Sequence, residues 1–117
     1  MLIIDDEKDL CRLVVGILSD AHYEADCAYS LLEGKQKWES WNPDVVLLDV
    51  NLPDGTGLDL MEANKGLLEK TFIILLTADI QETTKIKAHE LGIMSFVAKP
   101  FTAVQVLKMV DNVMLAE

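Results

Sequence analysis

Asp44-Val45-Val46-Leu47-Leu48-Asp49 is the stretch that decides the fold. Four apolar residues stand between two aspartates without polar alternation. A strand wetted on one face alternates, whereas a strand covered on both faces reads as a continuous apolar run. The stretch therefore predicts a central strand of a parallel sheet with helices on either side. Asn42-Pro43 precedes it, a pair that ends a helix. Leu52–Leu58 follows, and with Pro53, Gly55 and Gly57 it reads as a loop.

The same logic extends in both directions. Met1–Asp5, Tyr23–Ala28, Phe72–Leu76 and Ile93–Ala98 read as further strands. Between them lie amphipathic stretches. From Asp6 to about Asp20, Leu10, Leu13, Val14, Ile17 and Leu18 recur at helical spacing. Ser30–Trp41 reads as a second helix, and a third runs from the glycine-rich loop to about Leu68. Gln81–Leu91 reads as a fourth, with Gly92 as its C-terminal cap. Thr102 reads as the N-cap of a fifth helix whose apolar face carries Val106, Leu107, Val110, Val113 and Met114. Strict alternation of strand and helix implies a parallel sheet with helices on both faces. Right-handed crossovers then favour a flavodoxin-like, doubly wound (βα)5 sheet in the order 2-1-3-4-5. An eight-stranded barrel needs a longer chain.

Composition agrees with one α/β domain over residues 1–117. The hydrophobic fraction is 50% and the charged fraction 26%, which suits a packed core rather than disorder. Twenty acidic residues against ten basic ones give a formal net charge of −10. That charge argues against direct nucleic-acid contact and against an anionic membrane surface. No apolar run reaches a membrane-spanning length, and the opening lacks the pattern of a secretory leader. Cys11 and Cys27 form no CxxC motif and read as buried free thiols in a reducing cytoplasm. His22 and His89 are isolated, so the clustered ligands of a zinc site are missing. Gly55 and Gly57 make no GxGxxG after the first strand, which argues against a dinucleotide. Trp38 and Trp41 read as packing for the second helix, and Met94, Met109 and Met114 as gap-fillers. Gln81, Glu82, Lys85 and Lys87 read as a solvated helix face.

The polar residues at strand ends are more telling. Asp5 and Asp6 end the first strand, Asp49 the third, Thr77 the fourth and Lys99 the fifth. Each alone is an ordinary cap, turn or surface residue. In the order 2-1-3-4-5 all of them converge on one edge of the sheet, where open α/β sheets bind ligands. Three clustered carboxylates repel unless a cation lies among them. An all-oxygen donor set suits a hard divalent ion, Mg2+ before others, with Mn2+ as the alternative. Such an ion would polarise and orient a phosphoryl group. Asp49, single and central where Asp5 and Asp6 are paired, is the choice for the carboxylate nucleophile. Lys99 would pair with a phosphoryl oxygen and Thr77 would hydrogen-bond another.

Taken together these residues resemble the receiver domain of two-component response regulators. The resemblance rests on Ile3-Ile4-Asp5-Asp6-Glu7, Val46 through Gly57, Leu76-Thr77-Ala78 and Lys99-Pro100-Phe101. The spacings are 44 from Asp5 to Asp49, 28 to Thr77 and 22 to Lys99. The resemblance implies Asp49 as phosphoacceptor and Asp5, Asp6 and the Asn51 carbonyl as metal ligands. Thr77 and Lys99 would sense the phosphoryl group, and Phe96 would be the switch aromatic. Phe96 has no hydroxyl where many members carry tyrosine. The resemblance further implies a cis Lys99–Pro100 bond, and Asn51 and Asp79 as residues that modulate dephosphorylation. The implied donor is a sensor histidine kinase or a phosphotransfer protein. The implied output is an effector domain or partner, or a phosphorylation-dependent homodimer, through the fourth helix, fifth strand and fifth helix. Val104 and Val106 diverge on that last helix, so one of them is expected to face outward. Such a domain is a cytoplasmic signalling phosphoacceptor, not a multiple-turnover enzyme.

Two other readings are weighed against it. Asp49-Val50-Asn51 is faintly similar to the DxD start of aspartate-nucleophile phosphatases and dehalogenases, with Asn51 in place of the second aspartate, but those enzymes place the motif after the first strand and need a larger cap and extra acidic residues. A phosphorylation-independent interaction module would have no need for Asp5, Asp6, Asp49, Thr77 and Lys99 together.

Overall fold

The computed structural model describes residues 1–78, 81–93 and 95–115. In chain order the elements are β1 (Leu2–Ile4), α1 (Lys8–Asp20), β2 (Asp26–Ala28), α2 (Leu31–Trp41) and β3 (Val45–Asp49). Next come β4 (Asn51–Leu52), β5 (Gly55–Thr56), α3 (Gly57–Ala63), α4 (Lys65–Leu68) and β6 (Phe72–Thr77). The last are α5 (Glu82–Glu90), β7 (Ser95–Ala98) and α6 (Ala103–Leu115). One parallel sheet has the order β2-β1-β3-β6-β7, and β4 with β5 forms a separate antiparallel hairpin. With the hairpin set aside, the sheet is the doubly wound 2-1-3-4-5 arrangement. No described helix is long and apolar enough to cross a membrane.

Side chains on a strand alternate between faces, and the two apolar clusters follow that alternation. Leu2, Ile4, Val46, Leu48, Ile73 and Leu75 share one cluster with Trp38, Met61 and Ala88, under α2, α3 and α5. Ile3, Val45, Leu47, Ile74 and Leu76 share the other with Val14, Leu18, Val106 and Val110, under α1 and α6. Both faces of β1, β3 and β6 are therefore covered, which is why these runs show no polar alternation.

Helix ends are set by local chemistry. The Ser30 hydroxyl accepts from Glu33 N at 3.1 Å, and the Glu33 carboxylate accepts from Tyr29 N at 3.0 Å. Asn42 in the left-handed region closes α2, with φ of 48°. Thr102 and Gln105 form a reciprocal capping box before α6, at 3.2 and 2.8 Å. Gly92 stands at a φ of 81° after α5, as a C-terminal cap requires.

Several boundaries differ from the sequence reading. The first helix starts at Lys8 rather than Asp6, because Asp5 N still bonds to Ala28 O beside the strands and Glu7, in an extended conformation with its amide on Asp5 Oδ1, is the N-cap residue. The second strand begins at Asp26, since its partner β1 offers only Leu2 to Ile4 for pairing. The segment read as a loop contains the β4–β5 hairpin, turned through Pro53-Asp54. The third helix breaks at Asn64, whose side-chain amide donates to Leu60 O at 2.9 Å and competes with helix continuation. Trp38 is buried and donates to Thr71 Oγ1 at 3.1 Å, while Trp41 is about half exposed. Val106 is buried and Val104 is exposed. Lys87 is not simply solvated: it pairs with Asp59 and Glu62. Both cysteines are buried and free. Met94 lies outside the described residues.

Two glycines on helices test this packing in opposite directions. A Cβ on Gly34 of α2 would lie 2.7 Å from Ile4 Cδ1, whereas one on exposed Gly16 of α1 meets nothing within 4 Å. Gly34→Ala should destabilise by about 1–3 kcal/mol through over-packing. Gly16→Ala should stabilise by about 0.5–1 kcal/mol through unfolded-state entropy and helix propensity. Urea unfolding of both variants checks the pair.

Candidate functional site

Parallel register delivers the site. β1 and β3 are aligned with Ile4 opposite Leu48, and β3 and β6 with Asp49 opposite Leu76. Asp5 and Asp49 therefore leave adjacent strands at the same height. Thr77 pairs with Ala98 on the next two strands, and Lys99 N donates to Thr77 O at 2.8 Å. The Lys99–Pro100 peptide bond is cis.

Asp5, Asp6 and Asp49 each offer a carboxylate oxygen, all within 4.8 Å of one another. Asp5, Asp49 and Thr77 are buried, and Asp6 is exposed. The Lys99 ammonium lies among the acids, 2.8 Å from Asp5 Oδ2, 3.1 Å from Asp49 Oδ2 and 3.2 Å from Glu7 Oε1. The remaining oxygens point to backbone amides. Asp5 Oδ1 accepts from Glu7 N at 3.0 Å, and Asp49 Oδ1 accepts from Asn51 N at 3.2 Å.

The electrostatics are opposed. Burial pushes the Asp49 carboxyl up, the Lys99 hydrogen bond pulls it down, and the Asp5 charge adds to the rise; the net direction is upward. Burial also works against the Lys99 ammonium, but Asp5 and Asp49 outweigh it and hold the lysine more firmly protonated than usual. One ammonium thus faces more carboxylate charge than it balances. Asp5 Oδ2 is buried and makes the Lys99 ion pair without a well-aligned hydrogen bond, so it retains unused acceptor capacity. Three carboxylates, no thiolate or imidazole, and an under-satisfied buried oxygen fit a hard divalent cation.

The structure brings together Asp5, Asp6, Asp49 and Lys99, with Thr77 beside Lys99 on the neighbouring strand end. Asn51 follows Asp49 on β4, its side exposed. Phe96 on β7 is half-buried against the cluster that holds Leu75 and Ala88. Asp79 lies outside the described residues. Two contributions escaped the sequence reading. Glu7 supplies a third carboxylate to Lys99, a role signalled only by its place in the Asp5-Asp6-Glu7 run. Gly57 lets α3 start directly beside Asp49: an added Cβ would stand 2.5 Å from Asp49 O and 2.9 Å from Leu48 Cγ. Its amide donates to Val50 O at 2.7 Å.

The direction of the Asp49 shift makes a pH prediction. A carboxyl whose folded pKa lies above its unfolded value weakens the fold once it ionises. In metal-free buffer Asp49→Asn should therefore be more stable than wild type at pH 7. The gain should shrink as pH falls toward the ordinary aspartate value of about 3.9, where wild type regains its proton. Chemical denaturation across pH 4–7 reads both halves.

Comparisons with known proteins agree with this geometry. Residues 1–111 match the family described as the response regulator receiver domain. The transcriptional regulatory protein DltR of Streptococcus agalactiae is 32% identical over 107 residues, covering 92% of this chain and 48% of DltR. The acid tolerance regulatory protein ActR of Rhizobium meliloti is also 32% identical, covering 92% of this chain and 55% of ActR. The chain thus spans about half the length of these curated relatives. Among solved structures, the chemotaxis response regulator CheY4 of Vibrio cholerae superposes with a TM-score of 0.86 at 29% identity, covering 96% of this chain and 95% of that one. The non-phosphorylated HemR receiver domain of Leptospira biflexa gives 0.87 at 28% identity, covering 96% and 90%. The family match over residues 1–111, with nearly the whole chain superposing on solved response regulators, leads to one conclusion: the chain belongs to the response regulator receiver domain family.

Proposed function

We propose that this domain, residues 1–117 taken as one receiver unit, accepts a phosphoryl group on Asp49 from the phosphohistidine of a sensor kinase or phosphotransfer protein. The observation that carries the proposal is the gathering of Asp5, Asp6, Asp49 and Lys99 at one sheet edge. Asp5, Asp6, Asp49 and the Asn51 backbone carbonyl would hold Mg2+, or Mn2+ in its place. When bound, the ion supplies charge neutralisation and orientation for the incoming phosphoryl group.

The protein's own groups do the rest. A carboxylate oxygen of Asp49 attacks phosphorus, and the bond to the donor imidazole nitrogen breaks with its electron pair left on nitrogen. Lys99 shares its charge between Asp5 and a phosphoryl oxygen once Asp49 carries the acyl phosphate. Thr77, buried at the end of β6, donates its hydroxyl to another phosphoryl oxygen. That movement frees space toward which Phe96 repacks. The readout surface is α5, β7 and α6, the fourth helix, fifth strand and fifth helix of the sheet units. Val104 lies exposed on it, available to an effector domain, a partner or a second copy after phosphorylation. Coupling of about 1–3 kcal/mol is the usual scale of such linkage. Asn51 and Asp79 would tune the rate at which water removes the acyl phosphate. The domain would then act in the cytoplasm as a switch that catalyses only its own phosphorylation and dephosphorylation.

Intact-mass measurement after incubation with acetyl phosphate and Mg2+ tests this directly. Wild type should gain one phosphoryl group, and the gain should vanish with EDTA or in Asp49→Asn. No gain in wild type, or an equal gain in Asp49→Asn, overturns the proposal.

A further inference from the structure

The β4–β5 hairpin carries Asn51, whose carbonyl belongs to the metal site under the function proposed above, and the inference rests on that reading. What holds the hairpin in place is therefore a question about the site. On one side Asn51 N donates to Asp49 Oδ1, and Gly57 N closes the base of the hairpin by donating to Val50 O. On the other side it is tied to α2, through a residue at the hairpin turn.

That residue is Asp54. Its Oδ1 accepts from Leu31 N at 2.9 Å and its Oδ2 from Leu32 N at 3.1 Å. The two oxygens of one carboxylate thus satisfy the first two amides of α2, more than twenty residues away in the chain. The next amide, Glu33 N, is taken by Ser30 Oγ. The helix start thus needs Asp54 as well as its own N-cap, because those amides have no partner inside the helix. The two backbone amides hold the Asp54 carboxyl below the usual aspartate range. A negative charge at a helix N-terminus is favoured in its own right. Apolar contact reinforces the clamp. Leu52 is buried in the same cluster that Leu31 packs against, and Gly55, at a φ of 146°, lies so near Leu31 that an added Cβ would stand 3.1 Å from its Cδ1.

We propose that Asp54 is a positioning residue for the metal site. It fastens the hairpin to the N-terminus of α2, and so fixes the Asn51 carbonyl relative to the Asp5, Asp6 and Asp49 carboxylates. Asp54 touches neither metal nor phosphoryl group; it acts through Asn51. A residue of this kind alters ion affinity by restricting where a ligand can be, as supporting groups around metal sites do generally. Ser30 serves as the contrast. It caps the same helix, but it has no contact with the hairpin among the hydrogen bonds of the described residues.

Mg2+ binding measured by isothermal titration calorimetry separates the two roles. Asp54→Ala should weaken Mg2+ binding by about tenfold, the scale seen when a supporting group is removed. Asp54→Asn keeps one carbonyl acceptor for one amide and should fall between wild type and Asp54→Ala. Ser30→Ala should lower the unfolding midpoint like Asp54→Ala, yet bind Mg2+ as wild type does. Equal Mg2+ affinity in wild type and Asp54→Ala overturns the inference while leaving the proposed function intact. Equal weakening in Ser30→Ala and Asp54→Ala also overturns it, since any loosening of α2 would then suffice. A wild-type protein that binds no Mg2+ removes the proposed function and this inference together. Should Asp54→Ala fail to fold, Asp54→Asn carries the comparison alone.

Discussion

One ammonium set among several carboxylates governs the edge of this sheet. Lys99 reaches Asp5, Asp49 and Glu7 within 3.2 Å, and Asp5 and Asp49 are buried. Removing charges from water is expensive unless they are paired. Here they are paired incompletely, with an excess of negative charge. Under the proposed function, a divalent cation would neutralise that excess. The sheet's geometry is what produces that surplus. Asp5, Asp49 and Lys99 come from separate strands, and only parallel strands in register deliver them to one edge.

The chain around this cluster is built to hold positions rather than to add chemistry. Gly57 allows α3 to begin against the Asp49 backbone, which closes the segment after β3. The hairpin that follows Asp49 is anchored to α2 by Asp54. On the other side, the Lys99 amide binds the Thr77 carbonyl, so the two strand ends that face the acids are linked through backbone. Under the proposed function, an event at Asp49 that draws Lys99 or Thr77 would act on the ends of β6 and β7, strands against which α5 and α6 pack. Phe96 on β7 is half-buried against the core, and it has no hydroxyl.

Much of this was legible in the sequence because the decisive signals are short and local. Continuous apolar runs of four or five residues announced strands buried on both faces, and alternation with helical stretches announced a parallel sheet. Strand order then placed Asp5, Asp6, Asp49, Thr77 and Lys99 together without any contact being known. What could not be read depends on geometry across the fold. Asp54 looks like turn punctuation until its carboxylate is seen on the amides of α2. Gly57 looks like a loop glycine until the space beside Asp49 is measured. Glu7 is one acid in a run until the Lys99 side chain is placed. The hairpin was hidden because its strands are two residues long, too short for any periodicity. The break at Asn64 was hidden because a single amide side chain decides it.

Lys99 and Asp49 should be energetically coupled rather than merely adjacent. A double-mutant cycle with Lys99→Met and Asp49→Asn, followed by denaturant unfolding in metal-free buffer at pH 7, measures that coupling. Lys99→Met alone should destabilise by about 3–5 kcal/mol, because it leaves buried carboxylates without their cation. In the Asp49→Asn background the same substitution should be milder by about 1–3 kcal/mol. Additive effects, equal within about 0.5 kcal/mol, would mean that the two groups act independently and that Lys99 does not balance the Asp49 charge.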